Sequence, residues 1–332
     1  MLGAGSAKSS KRGGAWDILG RMSVAADRRV RGALALGCVV CLLACDGGSE
    51  GPPVWPISGT AEPQRLSSSF GPRLQGATDP VYDFHRGIDI PIPLGTEIHA
   101  MQAGVVRRAG NDPDYADMLV QIEHVKPGAS DDCASGGCYW SNSIHLSEAC
   151  VSIGDRVERG EVVGLSGAGE NGFEHLHFEV RDVQSTLASC AHPLSFLPHS
   201  DASAPQITLG AIDASDPAQV SVELTVALAG SAPNLVRVEV LTADLSTGEP
   251  LDERAFDYVE WNRKYTLPDD PDLIDAPELE GILISPERFT TTSELYRIGL
   301  RFSGLAGAAP GDLKVTARAT DAQGSIIEAT SP

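Results

Sequence analysis

Residues 174–180 read Glu-His-Leu-His-Phe-Glu-Val, and this run permits little besides a β-strand. It is rich in aromatic and branched apolar residues and lacks a helical period. Side chains two apart on a strand share a face. Leu176 and Phe178 therefore point together into a core, and His175 and His177 stand side by side on the other face. Two imidazoles on one strand face are what a metal site with an adjacent catalytic base needs. An exposed strand face carrying two histidines by chance would look the same, so the pair needs partners. Glu179 shares the histidine face, either orienting a ligand from behind or simply exposed.

Upstream lies His85-Arg86-Gly87-Ile88-Asp89. His85 offers a neutral nitrogen and Asp89 an anionic oxygen. With one histidine of the downstream pair they complete three ligands and leave a fourth tetrahedral position for water, the pattern of a catalytic zinc. Between the two motifs, Ile144-His145-Leu146-Ser147 sets another histidine among apolar residues. Four of the eight histidines fall in these three motifs. His99 and His124 sit in apolar strand contexts and read as structural; His192 and His199 belong to no motif.

The order H-x-x-x-D, H-L-S, H-L-H-F-E resembles the lysostaphin-type zinc endopeptidases, which cut peptide bridges of bacterial cell walls. The resemblance runs from about residue 57 to 197 and includes Phe70-Gly71-Pro72-Arg73, Gly104-Val105-Val106 and the run from Gly154 to Gly160. It implies an antiparallel β-sheet peptidase domain of the duplicated hybrid motif type. It implies one zinc ion on His85, Asp89 and His177, with His145 and His175 as catalytic histidines flanking water and substrate. Which of the two moves the proton and which supports the oxyanion stays open. The implied substrate is a peptidoglycan peptide. Two positions depart from the family. Ser143 stands where an aromatic residue usually precedes the H-L-S histidine, with Tyr139 and Trp140 nearby. Phe173-Glu174 stands where Gly-Pro usually precedes H-L-H. Both changes are expected to line the groove and alter substrate preference. Glu174 would raise the pKa of His175 if it faced that ring, but strand alternation points it away.

The N-terminus reads as a targeting segment. Arg28, Arg29 and Arg31 precede an apolar run from Ala33 to Ala44, and Leu42-Leu43-Ala44-Cys45 resembles a lipobox. Residues 1–44 are then a signal segment, with the start possible at Met22, and Cys45 carries a lipid anchor to a membrane. An ordinary secretory signal cut nearby is the alternative. Either way the protein is exported, to the periplasm or cell surface. The formal charge of −20 argues against nucleic acid as a partner. Beyond the signal, Cys133, Cys138, Cys150 and Cys190 form an even set in an oxidising compartment, which permits three disulfide pairings. Cys133 and Cys138 enclose four residues and suit a local staple, leaving Cys150 with Cys190. A second zinc site on these four is disfavoured by compartment and spacing.

The chain reads as all-β. Residues 45–56 are a Gly/Pro/Ser-rich linker, 57–199 the metallopeptidase domain, and 206–332 an immunoglobulin- or fibronectin-like β-sandwich. In the last part Val220, Val222, Leu224, Val226 and Leu228 alternate, as do Val236, Val238 and Val240, then Ile298, Leu300 and Phe302, then Leu313, Val315 and Ala317. The linker near Ser200 predicts a sandwich independent of the chemistry. The acidic run at 269–272 lacks the glycine and downstream glutamate of a helix-loop-helix calcium site. The leading function is a zinc endopeptidase of peptidoglycan cross-links. The rivals are a non-enzymatic regulator of other wall hydrolases, against which the filled ligand set argues, and a wall- or partner-binding module centred on the sandwich. For the anchor, a Cys45→Ala protein is expected to leave the membrane fraction and lose palmitate labelling. Retention of either would sink the lipoprotein reading.

Overall fold

The computed structural model describes residues 51–331 apart from 61–63, 76–80, 113–116, 130–132, 170–171, 200–203, 231, 267–277 and 287–294. The signal segment, Cys45 and the acidic run at 269–272 lie outside the described residues. The described residues are almost wholly β-structure, with one α-helix.

The first half contains β1 (Gly71–Gln75), β2 (Val81–His85), β3 (Ile88–Ile90), β4 (Glu97–His99), β5 (Gly104–Asp112) and β6 (Asp117–Val125). These are followed by β7 (Cys138–Ile144), β8 (Leu146–Ala149), β9 (Arg156–Val157), β10 (Val162–Ala168), β11 (Glu174–Asp182) and β12 (Cys190–Ala191). Ten of these strands make one antiparallel sheet. Its path runs β4-β10-β11-β7-β6-β5-β9, with β3 and β12 also on β11 and β8 on β10. Strands β1 and β2 pair only with each other. The alternation in residues 174–180 holds: Leu176, Phe178 and Val180 are buried in the core with Ile88, Ile90, Val106 and Val120.

The second half contains β13 (Gln206–Asp213), β14 (Val220–Ala229), β15 (Leu235–Asp244), β16 (Pro250–Asp257), α1 (Tyr258–Thr266), β17 (Glu278–Leu279), β18 (Ile282–Pro286), β19 (Leu295–Leu305), β20 (Leu313–Asp321) and β21 (Ile326–Thr330). Two antiparallel sheets, ordered β13-β14-β19-β18-β17 and β16-β15-β20-β21, face each other. This strand order is that of an immunoglobulin-like sandwich, with α1 inserted at one edge connection. The helix starts where Asp257 Oδ1 accepts from the backbone N–H of Val259 (3.0 Å) and Glu260 (3.1 Å), a side-chain N-cap. The expected alternating residues are buried with one change: Leu235, not Val236, faces the core. A register shift between Leu235 and Arg237 in the β15–β20 ladder turns that end of the strand over.

Three expectations need correction. The stretch before residue 57 is not a tether along its whole length. Val54 and Trp55 are buried, with Trp55 0% exposed, and Trp55 Nε1 donates to Pro198 O at 2.7 Å. Gly/Pro-rich composition hid one large aromatic, whose burial outweighs the freedom of the residues around it. Second, the sandwich is not independent. Phe70, Phe84 and Cys190 belong to the same apolar cluster as the sandwich residues. Asn262 Nδ2 donates to Leu187 O at 2.8 Å, and Gln323 Nε2 to Leu194 O at 3.1 Å. Third, Cys133 and Cys138 form the expected disulfide, but Cys150 and Cys190 do not join each other. Cys190 is held on β12 opposite Arg181, whereas Cys150 is tied to Val163 beside the β8–β10 ladder.

Trp55 supplies a test of how firmly the N-terminal stretch is seated. Trp55→Ala is expected to lower unfolding stability by about 3–5 kcal/mol, the range for truncating a buried aromatic. A urea midpoint equal to wild type would show that the stretch is a tether after all.

Candidate metal centre

The site is assembled by β11 and its two neighbours. His177 lies opposite Asp89 of β3 on one side and opposite Ile144 of β7 on the other. Asp89 and the turn that follows Ile144 are therefore delivered to His177 by backbone pairing alone. The segment joining His85 to Asp89 passes directly over the His177 ring. A Cβ on Gly87 would lie 2.5 Å from Phe178 O and 2.9 Å from His177 Nε2, so only glycine fits there.

Three donor atoms converge. His85 Nε2 lies 2.9 Å from His177 Nδ1 and 3.1 Å from Asp89 Oδ1, and His177 Nδ1 lies 2.9 Å from Asp89 Oδ1. A tetrahedral zinc with bonds of about 2.0–2.1 Å holds its donors roughly 3.3 Å apart. Two nitrogens and one carboxylate oxygen at these spacings fit such an ion after a shift of a few tenths of an ångström. His85, Asp89 and His177 are also a group of described residues whose side chains are close enough to hold a metal.

The outer atom of each of these three residues is held. His85 Nδ1 donates to Ser69 O at 2.8 Å. His177 Nε2 donates to Glu179 Oε1 at 3.4 Å. Arg73 Nη1 donates to Asp89 Oδ2 at 3.2 Å and to Ser68 Oγ at 2.9 Å, while its Nε donates to Asp83 Oδ2 at 2.9 Å. Glu179 is buried, which settles the choice left open in the sequence. Its other oxygen, Oε2, accepts from Arg181 Nη2 (2.7 Å) and Nε (3.0 Å). Such outer partners fix tautomer and ring orientation.

His145 and His175 lie beside these donors. Their ring centroids are 4.7 Å apart, and the His145 ring lies 5.9 Å from that of His177. His175 Nδ1 donates to Phe173 O at 2.8 Å, and its Nε2 lies 3.8 Å from Asp89 Oδ1. His145 Nδ1 donates to Asp117 Oδ2 at 2.6 Å. His145 has a φ of +63°, the left-handed conformation, at the corner between β7 and β8. That conformation costs about 1 kcal/mol or more for a non-glycine residue and recurs at functional sites. It allows Ile144 and Leu146 both to be buried while His145 turns toward the other histidines.

Sequence reasoning missed Asp117. It opens β6 beside a polar loop, 28 residues from His145, and no spacing rule links the two. The roles of Arg73 and of the Ser69 carbonyl were likewise invisible. The expectation for Ser143 is corrected. Ser143 pairs with Phe178, so it is on the core face rather than in the groove. Tyr139 is in the core as well, and Trp140 donates from Nε1 to Glu123 Oε2 at 3.2 Å. Phe173 does border the site: it is 53% exposed, with its ring 5.9 Å from that of His175. Glu174 turns away and accepts from the Leu94 N–H at 3.2 Å. His99 and His124 are structural, donating from Nδ1 to Gly160 O and Ala103 O respectively.

Comparison with known proteins adds the lineage. Residues 83–189 match the model of Peptidase family M23. Peptidoglycan DD-endopeptidase ShyA of Vibrio cholerae is 37% identical over 118 residues, which are 35% of this chain and 24% of ShyA. Residues 83–189 form an M23 peptidase domain. The chain spans only about a quarter of the length of ShyA. Uncharacterized lipoprotein YgeR of Escherichia coli K12 is 31% identical over 114 residues, 34% of this chain and 39% of that protein. The solved catalytic domain of the antimicrobial peptidase lysostaphin from Staphylococcus simulans is 23% identical, with a TM-score of 0.34, over 41% of this chain and 93% of that one.

Without a metal, the three donors of the M23 domain share a proton. Two imidazoles 2.9 Å apart cannot both be charged, and their titrations are linked. Burial pushes His85 down to about 4, helped by the positive charge of Arg73. Burial also opposes charge on His177, but hydrogen bonds to Asp89 and Glu179 and their charges outweigh it and raise His177 to about 9. His145 is shifted down by burial and by the neighbouring histidines, against the pull of Asp117. At neutral pH the proton therefore sits on His177 Nδ1, where it donates to Asp89. A cation bound by these donors must displace it. Loading a divalent cation at pH 7 is expected to release about one proton, and the release should fade as pH rises through about 9. Calorimetry in buffers of different ionisation enthalpy reads this number. Zero release at pH 7 would remove His177 from the ligand set.

Proposed function

We propose that this chain is an exported zinc metalloendopeptidase that cleaves peptide cross-links of peptidoglycan. The observation that carries the proposal is the closure of His85 Nε2, Asp89 Oδ1 and His177 Nδ1 to about 3 Å of one another, beside two further imidazoles. The name of ShyA, a peptidoglycan DD-endopeptidase, supports the substrate class. The name of lipoprotein YgeR supports export and an anchor at Cys45.

His85, Asp89 and His177 would hold the ion. It would supply Lewis acidity, polarising the scissile carbonyl and bringing the pKa of water to about 7. His145 and His175 each have Nδ1–H committed to an oxygen, so each keeps an Nε2 lone pair for the reaction. One of them takes the proton from water as its oxygen adds to the carbonyl carbon. The same proton then passes to the leaving nitrogen as the C–N bond breaks. Asp117 favours His145 for this work, because a carboxylate on Nδ1 stabilises the imidazolium formed in passing, whereas His175 leans on a neutral carbonyl. His175, its ring 4.7 Å from that of His145, then positions water or substrate beside it.

His177→Ala and Asp89→Ala are expected to lose most bound zinc. His175→Ala and His145→Ala should keep near-stoichiometric zinc yet lose at least ~10²-fold in turnover of a cross-linked muropeptide. Asp117→Asn should also keep zinc and lose roughly 10- to 100-fold. Plasma mass spectrometry beside the rate assay separates these outcomes. If His175→Ala emptied the site while His177→Ala did not, the assignment would be reversed. Wild-type protein that binds zinc but leaves purified sacculi intact would favour a regulator.

A further inference from the structure

Two of the three ligands ride on the ten-stranded sheet: Asp89 on β3 and His177 on β11. The third does not. His85 ends the hairpin β1–β2, which is a separate two-stranded sheet. Arg73 ties that hairpin to Asp89 of the large sheet, and the C-terminal sandwich packs against the residues around His85. Phe84, beside His85, sets its ring 6.3 Å from Tyr258 and 6.1 Å from Tyr265. Arg86, on the other side, lies 5.5 Å over the Tyr265 ring and donates from Nη2 to Thr266 Oγ1 at 3.2 Å. Both contacts come from α1 of the sandwich.

The partner strand is held at the same end, where Gly71 pairs with His85 and Pro72 with Phe84. A Cβ on Gly71 would lie 2.4 Å from Tyr258 Cε2, so the strand passes flush against that ring. Tyr296 donates its hydroxyl to Pro72 O at 3.4 Å. The orienting partner of His85 is itself fixed across the same boundary: Ser69, whose carbonyl accepts from His85 Nδ1, donates its hydroxyl to Pro233 O. Both neighbours of His85 and the group that sets its tautomer thus depend on the sandwich.

We propose that the C-terminal sandwich is a structural part of the metal site, with Tyr265 and Thr266 of α1 acting as positioning residues for ligand His85. The sandwich contributes no ligand, yet it sets how closely His85 meets Asp89 and His177. This rests on reading those three residues as zinc ligands. It gives the second domain a task in the chemistry, where the sequence had left it a separate module.

The test uses the full chain, with zinc dissociation constants measured by competition with a chromophoric chelator and the visible spectrum of the cobalt(II) form recorded beside them. Tyr265→Ala is expected to bind zinc at least about tenfold more weakly and to alter the cobalt spectrum, the scale of loss seen when a supporting partner is removed. Tyr265→Phe, which keeps the ring, should recover wild-type affinity to within about twofold. Thr266→Val should weaken binding and Thr266→Ser restore it, and this pair decides the matter if Tyr265→Ala does not fold. Arg318→Ala, which breaks an ion pair with Glu328 on another sandwich strand, should leave affinity and spectrum unchanged. Wild-type affinity and spectrum in folded Tyr265→Ala and Thr266→Val would overturn the proposal. Failure of the wild-type chain itself to bind zinc is a different result, and would overturn the zinc reading with it.

Discussion

Backbone pairing between β11 and its neighbours is the constraint on which the site depends. Opposite residues in an antiparallel ladder share a face, and a slip of one residue sends every side chain to the other side. With His177 opposite Asp89 and Ile144, two of the three converging donors and the approach to His145 are placed before any side chain chooses a rotamer. The apolar alternation of Leu176, Phe178 and Val180 enforces that register, because a slip would bring two histidines and a glutamate into the core. The clustering of donors is in this sense a by-product of a well-specified strand.

Charge is managed around the donors in a repeated way. Half-buried Asp89 and buried Glu179 each divide their two oxygens between an arginine and the histidine cluster. Asp89 gives Oδ2 to Arg73 and Oδ1 to the donors, while Glu179 gives Oε2 to Arg181 and Oε1 to His177. An unpaired buried carboxylate would take up a proton or unfold its surroundings. Burial opposes charge on Asp89, but the charge of His85 and hydrogen bonds from His177 and His85 hold its carboxyl well below the usual carboxylate range.

Short-range patterns in the sequence revealed much of this. The histidine pair on one strand, the H-x-x-x-D run and the H-L-S turn all lie within a few residues, and alternation rules reach that far. The sandwich strands were legible for the same reason. What stayed hidden was set by pairing across long separations. Asp117 meets His145 only because β6 and β7 are neighbours, and Ser143 is removed from the groove only by its register with Phe178. Trp55 was obscured by the glycines and prolines around it. Cys150 and Cys190 were paired by elimination, which cannot see that separate ladders hold them apart. The packing of Phe70 and Phe84 into the sandwich core was beyond any local pattern.

A chain emerging from its N-terminus presents the His85 hairpin early, but the surface it rests on comes much later. The contact between Pro72 and Tyr296 spans 224 residues. Contacts of such separation close late, after the intervening chain has paid its loop entropy. Asp89, His145, His175 and His177 can be gathered as soon as the large sheet forms, whereas the seat of His85 waits for α1 and β19. A half-made molecule would thus hold the His85 imidazole apart, and the three donors would close on one another only once α1 and β19 had arrived.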